Sequence, residues 1–243
     1  MTKTPLLGIP FDDGGLHEAA AEALRLIDRH EGSYAVTPNP EIVLAARKDP
    51  ALREAILSAD LILPDGVGLV YASHIAGKAL RHRIPGIDLT DVLLAELAQR
   101  KRSVFLFGAA PGAAEEAARM LQKQFPGMKI GGTRHGYFTA EEEPGILAEI
   151  RRVKPDLLLV CLGSPKQELW MKKQARRLPV GLMIGLGGAM DVYAGKLRRA
   201  PERWRRLGLE WLFRLLQEPR RIRRMIRLPL ILWAAYRERI GRV

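Results

Sequence analysis

Short apolar runs rich in β-branched residues alternate along the chain with longer amphipathic patterns, and this alternation restricts the fold more than any other feature. Such runs are typical of strands buried in a parallel sheet, and the longer patterns have the 3.6-residue period of helices. We predict five strands, at 34–37, 60–63, 103–107, 157–162 and 180–186. We predict helices near 16–30, 39–58 with a break at Pro50, 66–77, 88–101, 112–125, 140–153 and 166–178. The sequence therefore predicts an α/β fold, a Rossmann-like layered parallel sheet with helices on both faces.

Composition narrows the class of protein further. The 243 residues are 47% apolar, which is enough for a full hydrophobic core. The single cysteine, Cys161, cannot form an intramolecular disulfide, and no CxxC pair or Cys/His cluster suggests structural zinc. No window reaches the roughly 20 apolar residues of a spanning helix, and the N-terminal apolar stretch is too short for a signal peptide. We expect a cytoplasmic protein.

The net charge of +12 is unevenly distributed along the chain. Residues 1–195 hold 24 Lys/Arg and 23 Asp/Glu, whereas residues 196–243 hold 15 Lys/Arg and 4 Asp/Glu. We therefore predict a nearly neutral α/β body at 1–195 and a basic C-terminal appendage at 196–243.

The loops that follow the five predicted strands hold the candidate site. In a parallel α/β sheet, ligands bind outside the carboxyl ends of the strands. The five loops are 37–41 (TPNPE), 64–68 (PDGVG), 108–113 (GAAPGA), 163–168 (GSPKQE) and 187–191 (GGAMD). All are rich in Gly, Pro and polar residues, so we expect them to line the ligand site.

The first two loops carry polar side chains with both a functional and a structural interpretation. Thr37 ends a strand, so its hydroxyl lies on the expected ligand side. Asn39 could bind a ligand or cap the helix that begins at Pro40. Asp65 follows a buried strand, where a carboxylate can act as a general base, but Asp65-Gly66 is also a common tight turn.

The glycine loops are candidates for phosphate binding. Gly108 and Gly112 lie between a strand and a helix, where free backbone amides can receive phosphate, but the loop lacks GxGxxG and the P-loop pattern and could be a simple turn. Gly187 and Gly188 follow the last predicted strand in the same way.

The GSPKQE loop also matches the sequence pattern of a capping box. Ser164 would be the N-cap, and Gln167 would reach back to it. Gln167 and Glu168 could alternatively face a sugar.

Metal-binding patterns are absent from the sequence. No DxD sequence is present to chelate a nucleotide-bound metal, and the histidines are scattered. We expect the acidic pair Asp12-Asp13 to be solvated. We predict neither a metal nor another cofactor.

Eight motifs in order resemble those of the WecG/TagA/CpsF family of bacterial glycosyltransferases, from Leu7 to Arg227. They read TPNPEIV (37–43), LPDGVGLVYAS (63–73), HRIPGIDL (82–89), FGAAPG (107–112), HGYF (135–138), GSPKQELW (163–170), GLGGAMDVYAGKLRRAP (185–201) and LGLEWLFRLLQEPRRIRRM (207–225). Pro85 and Ile87 depart from the small residues common in the family, but the polar positions are kept.

The resemblance implies an activity and a site. The activity is the inverting transfer of N-acetylmannosamine from UDP-N-acetylmannosamine to GlcNAc-diphospho-undecaprenol, in synthesis of the teichoic acid linkage unit. Asp65 is then the base that takes the acceptor hydroxyl proton, and Thr37, Asn39, Arg83 and Gln167 line the sugar and nucleotide site. Relatives that use N-acetylmannosamine uronic acid or glucose leave the donor open, and a homo-oligomer is possible.

The basic tail gives a further prediction. Between Leu207 and Trp233, arginines interleave with apolar residues in a pattern typical of helices that lie in a membrane interface. We expect this appendage to bind the anionic inner face of the cytoplasmic membrane. We expect Arg214, Arg221 and Arg224 to neutralise the departing UDP, since a guanidinium pairs bidentately with phosphate. A tail that only packs on the body is the alternative.

Two other classes of protein remain to be separated. A nucleotide-dependent epimerase or oxidoreductase would share the fold, but the GxGxxG and YxxxK patterns are missing. A non-catalytic nucleic-acid or membrane-binding module would use the tail and leave the polar loops unexplained. We predict an enzyme with no nucleic-acid partner.

Overall fold

A six-stranded parallel sheet forms the centre of the computed structural model, which describes residues 1–217 and 228–241. The strands are Ser33–Val36 (β3), Leu61–Ile62 (β4), Ser103–Gly108 (β5), Lys129–Arg134 (β6), Leu157–Cys161 (β7) and Leu182–Gly185 (β8). Their order across the sheet is β4-β3-β8-β7-β5-β6. All five predicted strands are confirmed, with their ends shifted by about two residues at most.

Helices connect the strands and cover the sheet. They are Leu16–Arg29 (α1), Pro40–Ala46 (α2), Pro50–Leu57 (α3), Val67–Ile75 (α4), Gly86–Gln99 (α5), Ala113–Gln124 (α6), Glu143–Val153 (α7), Lys166–Gln174 (α8), Ala189–Tyr193 (α9), Glu202–Arg206 (α10), Glu210–Gln217 (α11) and Leu228–Arg239 (α12). The predicted break at Pro50 is confirmed, because Asp49 caps a new helix by accepting the backbone N–H groups of Ala51 and Leu52.

The core has two layers, one on each face of the sheet. On β5, Val104 and Leu106 belong to a buried cluster that includes residues of α1, α5 and α6. Phe105 and Phe107 alternate with them and belong to a second cluster, which includes residues of α7 and α8. A strand buried on both faces has no polar side, so it appears in the sequence as a continuous apolar run.

An N-terminal hairpin was not predicted. Its strands, Thr2–Leu6 (β1) and Ile9–Asp13 (β2), pair antiparallel across a two-residue turn. Leu7 and Gly8 both have positive φ, as the favoured hairpin turn requires. Each strand is only five residues long and contains a proline, which weakens the strand signal.

The expectation that Asp12 and Asp13 are solvated is wrong. Both side chains are buried, and hydrogen bonds from the body compensate for the loss of water. Asp12 Oδ2 accepts from the backbone N–H of Ile62 at 2.8 Å, and Asp13 Oδ1 accepts from that of Arg81 at 3.2 Å. The two carboxylates hold the hairpin against the β4 side of the sheet.

Strand β6 was also not predicted. Its sequence, KIGGTR, has one large apolar residue and lies at the edge of the sheet. A Cβ atom on Gly132 would lie 2.5 Å from Cε2 of Phe105, so the close approach of β6 to β5 requires glycine. The residues that allow this contact are the ones that hide the strand from sequence analysis.

Helix α12 packs on the body. Ile231, Ala234 and Ala235 are buried in the cluster that includes residues of α2 and α4. Glu238 accepts from the backbone N–H of Leu7 at 3.1 Å and from Lys78 Nζ at 2.8 Å. None of the described helices combines the length and the apolar character needed to cross a membrane. The separation of an appendage at residue 195 stays a prediction.

Candidate active site

The loops after β3 and β8 meet at the carboxyl edge of the sheet. Thr37 Oγ1 donates to the carbonyl oxygen of Gly185 at 3.3 Å, which joins the two loops. A Cβ on Gly86, the first residue of α5, would lie 3.0 Å from both Thr37 Oγ1 and Leu186 Cδ2. Thr37 is therefore held where the ends of β3 and β8 and the start of α5 converge.

Asp65 lies on the adjacent loop, after β4. Its backbone N–H donates to the carbonyl oxygen of Pro38 at 3.1 Å, so the loops after β3 and β4 are joined. Gly66 has a φ of 96°, which agrees with the predicted tight turn. The Ile84 N–H donates to the Pro64 carbonyl oxygen at 2.7 Å and brings the segment that contains Arg83 to the same edge. Asp65 is partly exposed at this edge.

Asn39 has the structural role that its position before Pro40 indicated. It is the N-cap of α2, and its Oδ1 accepts from the backbone N–H of Ile42 at 3.0 Å. The amide oxygen is therefore engaged by the helix, while the residue lies two positions from Thr37.

Gln167 joins the loops after β7 and β8, and the predicted capping box is wrong. The N-cap of α8 is Pro165, with no side-chain cap. Gln167 Oε1 instead accepts from the backbone N–H of Gly187 at 2.9 Å, and its Nε2 donates to Glu168 Oε1 at 2.9 Å. Both side chains are buried. Burial raises the pKa of the Glu168 carboxyl, against the hydrogen bond from Gln167.

The candidate phosphate glycines differ in their surroundings. Gly108 has a φ of 133°, and a Cβ there would lie 2.3 Å from the carbonyl oxygen of Cys161, so glycine is required for packing. Gly112 is the N-cap of α6 and faces open space. Gly188 is the N-cap of the short α9, and the N–H of Gly187 is already donated to Gln167.

Arg83 contacts the C-terminal part of the chain. Its Nη2 donates to the carbonyl oxygen of Arg205, and its Nη1 lies 4.0 Å from Oε2 of the buried Glu210. Residues of α10 and α11 therefore lie beside the carboxyl edge of β4.

A cluster of charges next to Arg83 was not predicted as part of the site. The Arg199 guanidinium pairs with Asp88 and, at 3.0 Å, with Asp91. Asp91 also accepts from the Tyr193 hydroxyl at 2.9 Å, and Arg205 Nη1 lies 3.6 Å from Asp88. Burial raises the pKa of Asp91, although Tyr193 and Arg199 oppose the shift. Asp88 and Arg199 lie in the HRIPGIDL and LRRAP segments of the family motifs. Their spacing in the sequence does not predict that the two segments contact each other.

The three arginines predicted from the tail are not all described. Arg214 lies in α11, and nothing further is described of its side chain. Arg221 and Arg224 lie outside the described residues. Their predicted contact with phosphate stays a prediction. Within 1–217 and 228–241, no group of three His, Cys, Asp or Glu side chains is placed to hold a metal ion.

The architecture is that of an α/β enzyme with its ligand site at one edge of the sheet. Polar and glycine-rich loops from β3, β4, β7 and β8 meet at the carboxyl edge of a parallel sheet, which is where α/β enzymes bind their ligands.

Sequence comparison identifies the family. Residues 4–243 match the model of the glycosyl transferase WecG/TagA/CpsF family, and the chain belongs to that family. The resemblance inferred from the eight motifs is confirmed.

Three similar curated proteins have the name N-acetylglucosaminyldiphosphoundecaprenol N-acetyl-beta-D-mannosaminyltransferase. The protein from Bacillus spizizenii is 40% identical over 203 residues, which is 84% of this chain and 78% of the relative. The protein from Bacillus subtilis is 36% identical over the same shares of the two chains. The protein from Staphylococcus aureus is 35% identical over 234 residues, 95% of this chain and 91% of the relative.

Proposed function

We propose that this protein transfers N-acetylmannosamine from UDP-N-acetylmannosamine to the GlcNAc of GlcNAc-diphospho-undecaprenol, with inversion at the anomeric carbon. The observation that carries the proposal is that relatives named for the transfer of N-acetylmannosamine to N-acetylglucosaminyldiphosphoundecaprenol align over most of both chains at 35–40% identity. The product fits synthesis of the teichoic acid linkage unit.

The arrangement of Asp65 suits a single displacement. The acceptor hydroxyl oxygen attacks the anomeric carbon of the donor, the bond from that carbon to the diphosphate oxygen breaks, and UDP leaves. The hydroxyl proton passes to Asp65, which acts as general base. Inversion requires no protein nucleophile, and a positioned base contributes on the order of 10²–10⁴ in rate.

Negative charge on the departing UDP is neutralised by arginine. Arg83 lies on the segment held at the carboxyl edge of β4. A guanidinium pairs with two phosphate oxygens at once, which is the geometry that a leaving diphosphate requires. Arg214, Arg221 and Arg224 would add to this charge. We expect excess EDTA to leave turnover nearly unchanged, and restoration by Mg²⁺ of activity lost in EDTA would contradict this account.

We also propose that α12 contacts the inner face of the cytoplasmic membrane. One side of α12 packs on the body, and the opposite side exposes Leu230, Trp233 and Tyr236, with Ile240 exposed directly after the helix. The Arg237 guanidinium lies 5.0 Å from the centre of the Trp233 ring. Exposed Trp and Tyr with adjacent arginines suit the headgroup region of a bilayer, where a polyprenyl-linked acceptor would be presented.

The decisive experiment is turnover with a panel of UDP-sugars and a short-chain prenyl-diphosphate GlcNAc acceptor. We expect UDP-N-acetylmannosamine to be used at least about 100-fold better than UDP-glucose or UDP-N-acetylmannosamine uronic acid, by kcat/KM. Preference for one of those two sugars would reassign the donor within the family. Conversion of the UDP-sugar without any acceptor would favour an epimerase.

A further inference from the structure

The orientation of the Gln167 side-chain amide is fixed by its neighbours. The backbone N–H of Gly187 can only donate, so the oxygen of the amide must face it. The Nε2 group then faces Glu168 Oε1, which accepts its hydrogen bond at 2.9 Å. A Cβ on Gly185 would lie 3.0 Å from Nε2, so the amide is packed against the end of β8.

Glu168 is placed at a cost to folding. Its side chain is 2% exposed, and burial raises its pKa despite interactions with Gln167, with the Ser164 hydroxyl and with its own backbone N–H. Its Oε2 makes no hydrogen bond of normal geometry in the described part of the chain. A buried carboxyl with an unmet oxygen is unfavourable. An acidic residue in the first turn of α8 interacts well with the helix dipole, but an exposed residue would do the same. Its burial therefore needs another reason.

We infer that Glu168 is a positioning residue that holds Gln167 in the orientation that fixes the loop after β8. Glu168 accepts from Gln167, Gln167 accepts from Gly187, and Gly187 belongs to the loop whose preceding residue Gly185 accepts from Thr37. This chain of hydrogen bonds connects α8 to the loops on which the proposed transfer depends. The link to turnover rests on the proposed function, whereas the link to loop structure does not.

The protein without substrate provides the first test. Hydrogen exchange of the Gly187 amide, followed by NMR, reports how often its bond to Gln167 opens. We expect Glu168→Leu to raise this exchange rate at least about fivefold, because Leu cannot accept from Nε2. We expect the same rise in Gln167→Leu, which removes the acceptor of the Gly187 N–H. Glu168→Gln keeps a carbonyl acceptor and should stay within about twofold of wild type.

A matched control exists at the other end of α8. Glu143 also accepts from a buried glutamine of that helix, Gln174, at 3.4 Å. Glu143→Leu should leave exchange at Gly187 unchanged. The Gly136 amide, which donates to the Ala109 carbonyl oxygen, should not respond to Glu168→Leu.

Two results of this experiment would overturn the inference. One is a Gly187 exchange rate in Glu168→Leu that equals wild type while Gln167→Leu raises it. The other is an equal rise at Gly187 and Gly136, which would mean general loosening. If Glu168→Leu does not fold, a pH titration of the wild type replaces it: the Gln167 side-chain N–H signals must shift as Glu168 titrates, and their failure to shift would refute the contact.

Turnover then tests the consequence for the reaction. In a double-mutant cycle, Glu168→Leu should lower kcat/KM at least about tenfold in the wild type but less than about twofold in Gln167→Leu. Equal factors in the two backgrounds would show that Glu168 acts independently of Gln167. Absence of transfer by the wild type would remove the proposed function and leave the exchange result standing.

Discussion

The guanidinium of Arg83 donates to the backbone carbonyl oxygen of Arg205, 122 residues further along the chain. Arg83 belongs to the segment beside β4, whereas Arg205 lies in α10, within the basic part of the chain. Glu210 of α11 provides the second contact, at 4.0 Å. Residues beyond 195 thus position an arginine of the candidate site, whatever they also do at a membrane.

The contact with Glu210 predicts a moderate loss of activity. Glu210→Gln should lower kcat/KM by up to about fivefold, because a long ion pair of this kind contributes up to about 1 kcal/mol. Steady-state kinetics with the short-chain acceptor measures this effect. Glu202→Gln, an exposed change on α10, is the control and should have no effect. Equal kinetics for Glu210→Gln and wild type would show that the contact with Glu210 does not help to position Arg83.

Replacement of the proposed base should affect chemistry and leave binding intact. We predict that Asp65→Asn lowers kcat at least about 10²-fold while the Kd for UDP and the Tm change little. Calorimetric binding and initial rates measure the two effects separately. The exposed Asp28→Asn is the matched control. Wild-type turnover by Asp65→Asn would remove Asp65 from the mechanism.

Stability at acid pH should depend on Asp156, which lies far from the site at the start of β7. Burial by itself raises the pKa of Asp156, but hydrogen bonds from Ser103 and Arg102 outweigh it and hold the pKa below its usual value. Such a carboxyl stabilises the fold above its unfolded pKa, and this stabilisation is lost as pH falls through the folded pKa. Asp156→Asn should lower the free energy of unfolding by about 1–3 kcal/mol at pH 7.

Urea unfolding at several pH values measures this difference. The gap between wild type and Asp156→Asn should narrow as pH falls below about 4. Asp28→Asn, which removes the other partner of Arg102, should cost less than about 1 kcal/mol because that pair is exposed. A gap that widens in acid would mean that folding raises the pKa of Asp156 and does not lower it.

The exposed side of α12 should bind lipid. Trp233 and Tyr236 are 57% and 53% exposed, so their joint replacement by Ala should leave the fold intact. We expect vesicle binding to fall at least about tenfold, with unchanged turnover on the soluble acceptor. Added salt should also release the wild type from anionic vesicles, since charges are screened over about 8–10 Å. Retention of the double variant on vesicles at low salt would place the membrane contact elsewhere.

The arginines of the tail can be assigned by the choice of acceptor. Arg214→Ala, Arg221→Ala or Arg224→Ala should depress turnover on the soluble acceptor if these side chains contact phosphate. An arginine that only binds the membrane should matter with vesicles alone. Full activity of all three variants on the soluble acceptor would show that these three arginines do not contact phosphate.

The buried strands and the loops that follow them could be predicted, because they depend on local sequence pattern. The runs around Val104 and Leu158 identified buried strands, because a strand covered on both faces must be apolar throughout. The rule that ligands bind at carboxyl ends then brought Thr37, Asp65 and Gln167 to one edge. Strand β6 and the hairpin were not predicted. The glycines of β6 and the buried carboxylates of the hairpin are explained only by contacts with residues distant in sequence.

The contacts within the site join residues that are distant in sequence. Gln167 was expected to cap its own helix, whereas it binds Gly187 on another loop. Arg83 was identified only through the family motifs, and no spacing rule brings it to Glu210. Pairings between distant loops are set by strand order, which the sequence pattern does not contain.

The hydrogen bond from the Leu7 amide to Glu238 spans 231 residues and constrains the order of biosynthetic events. A ribosome makes the hairpin first, yet the apolar surface it shares with α2 and α4 is closed by a helix that is translated more than 200 residues later. The nascent chain must therefore leave this surface open until α12 has emerged. Closure of the body and presentation of the exposed apolar side of α12, which we propose contacts lipid, then take place in the same late step of synthesis.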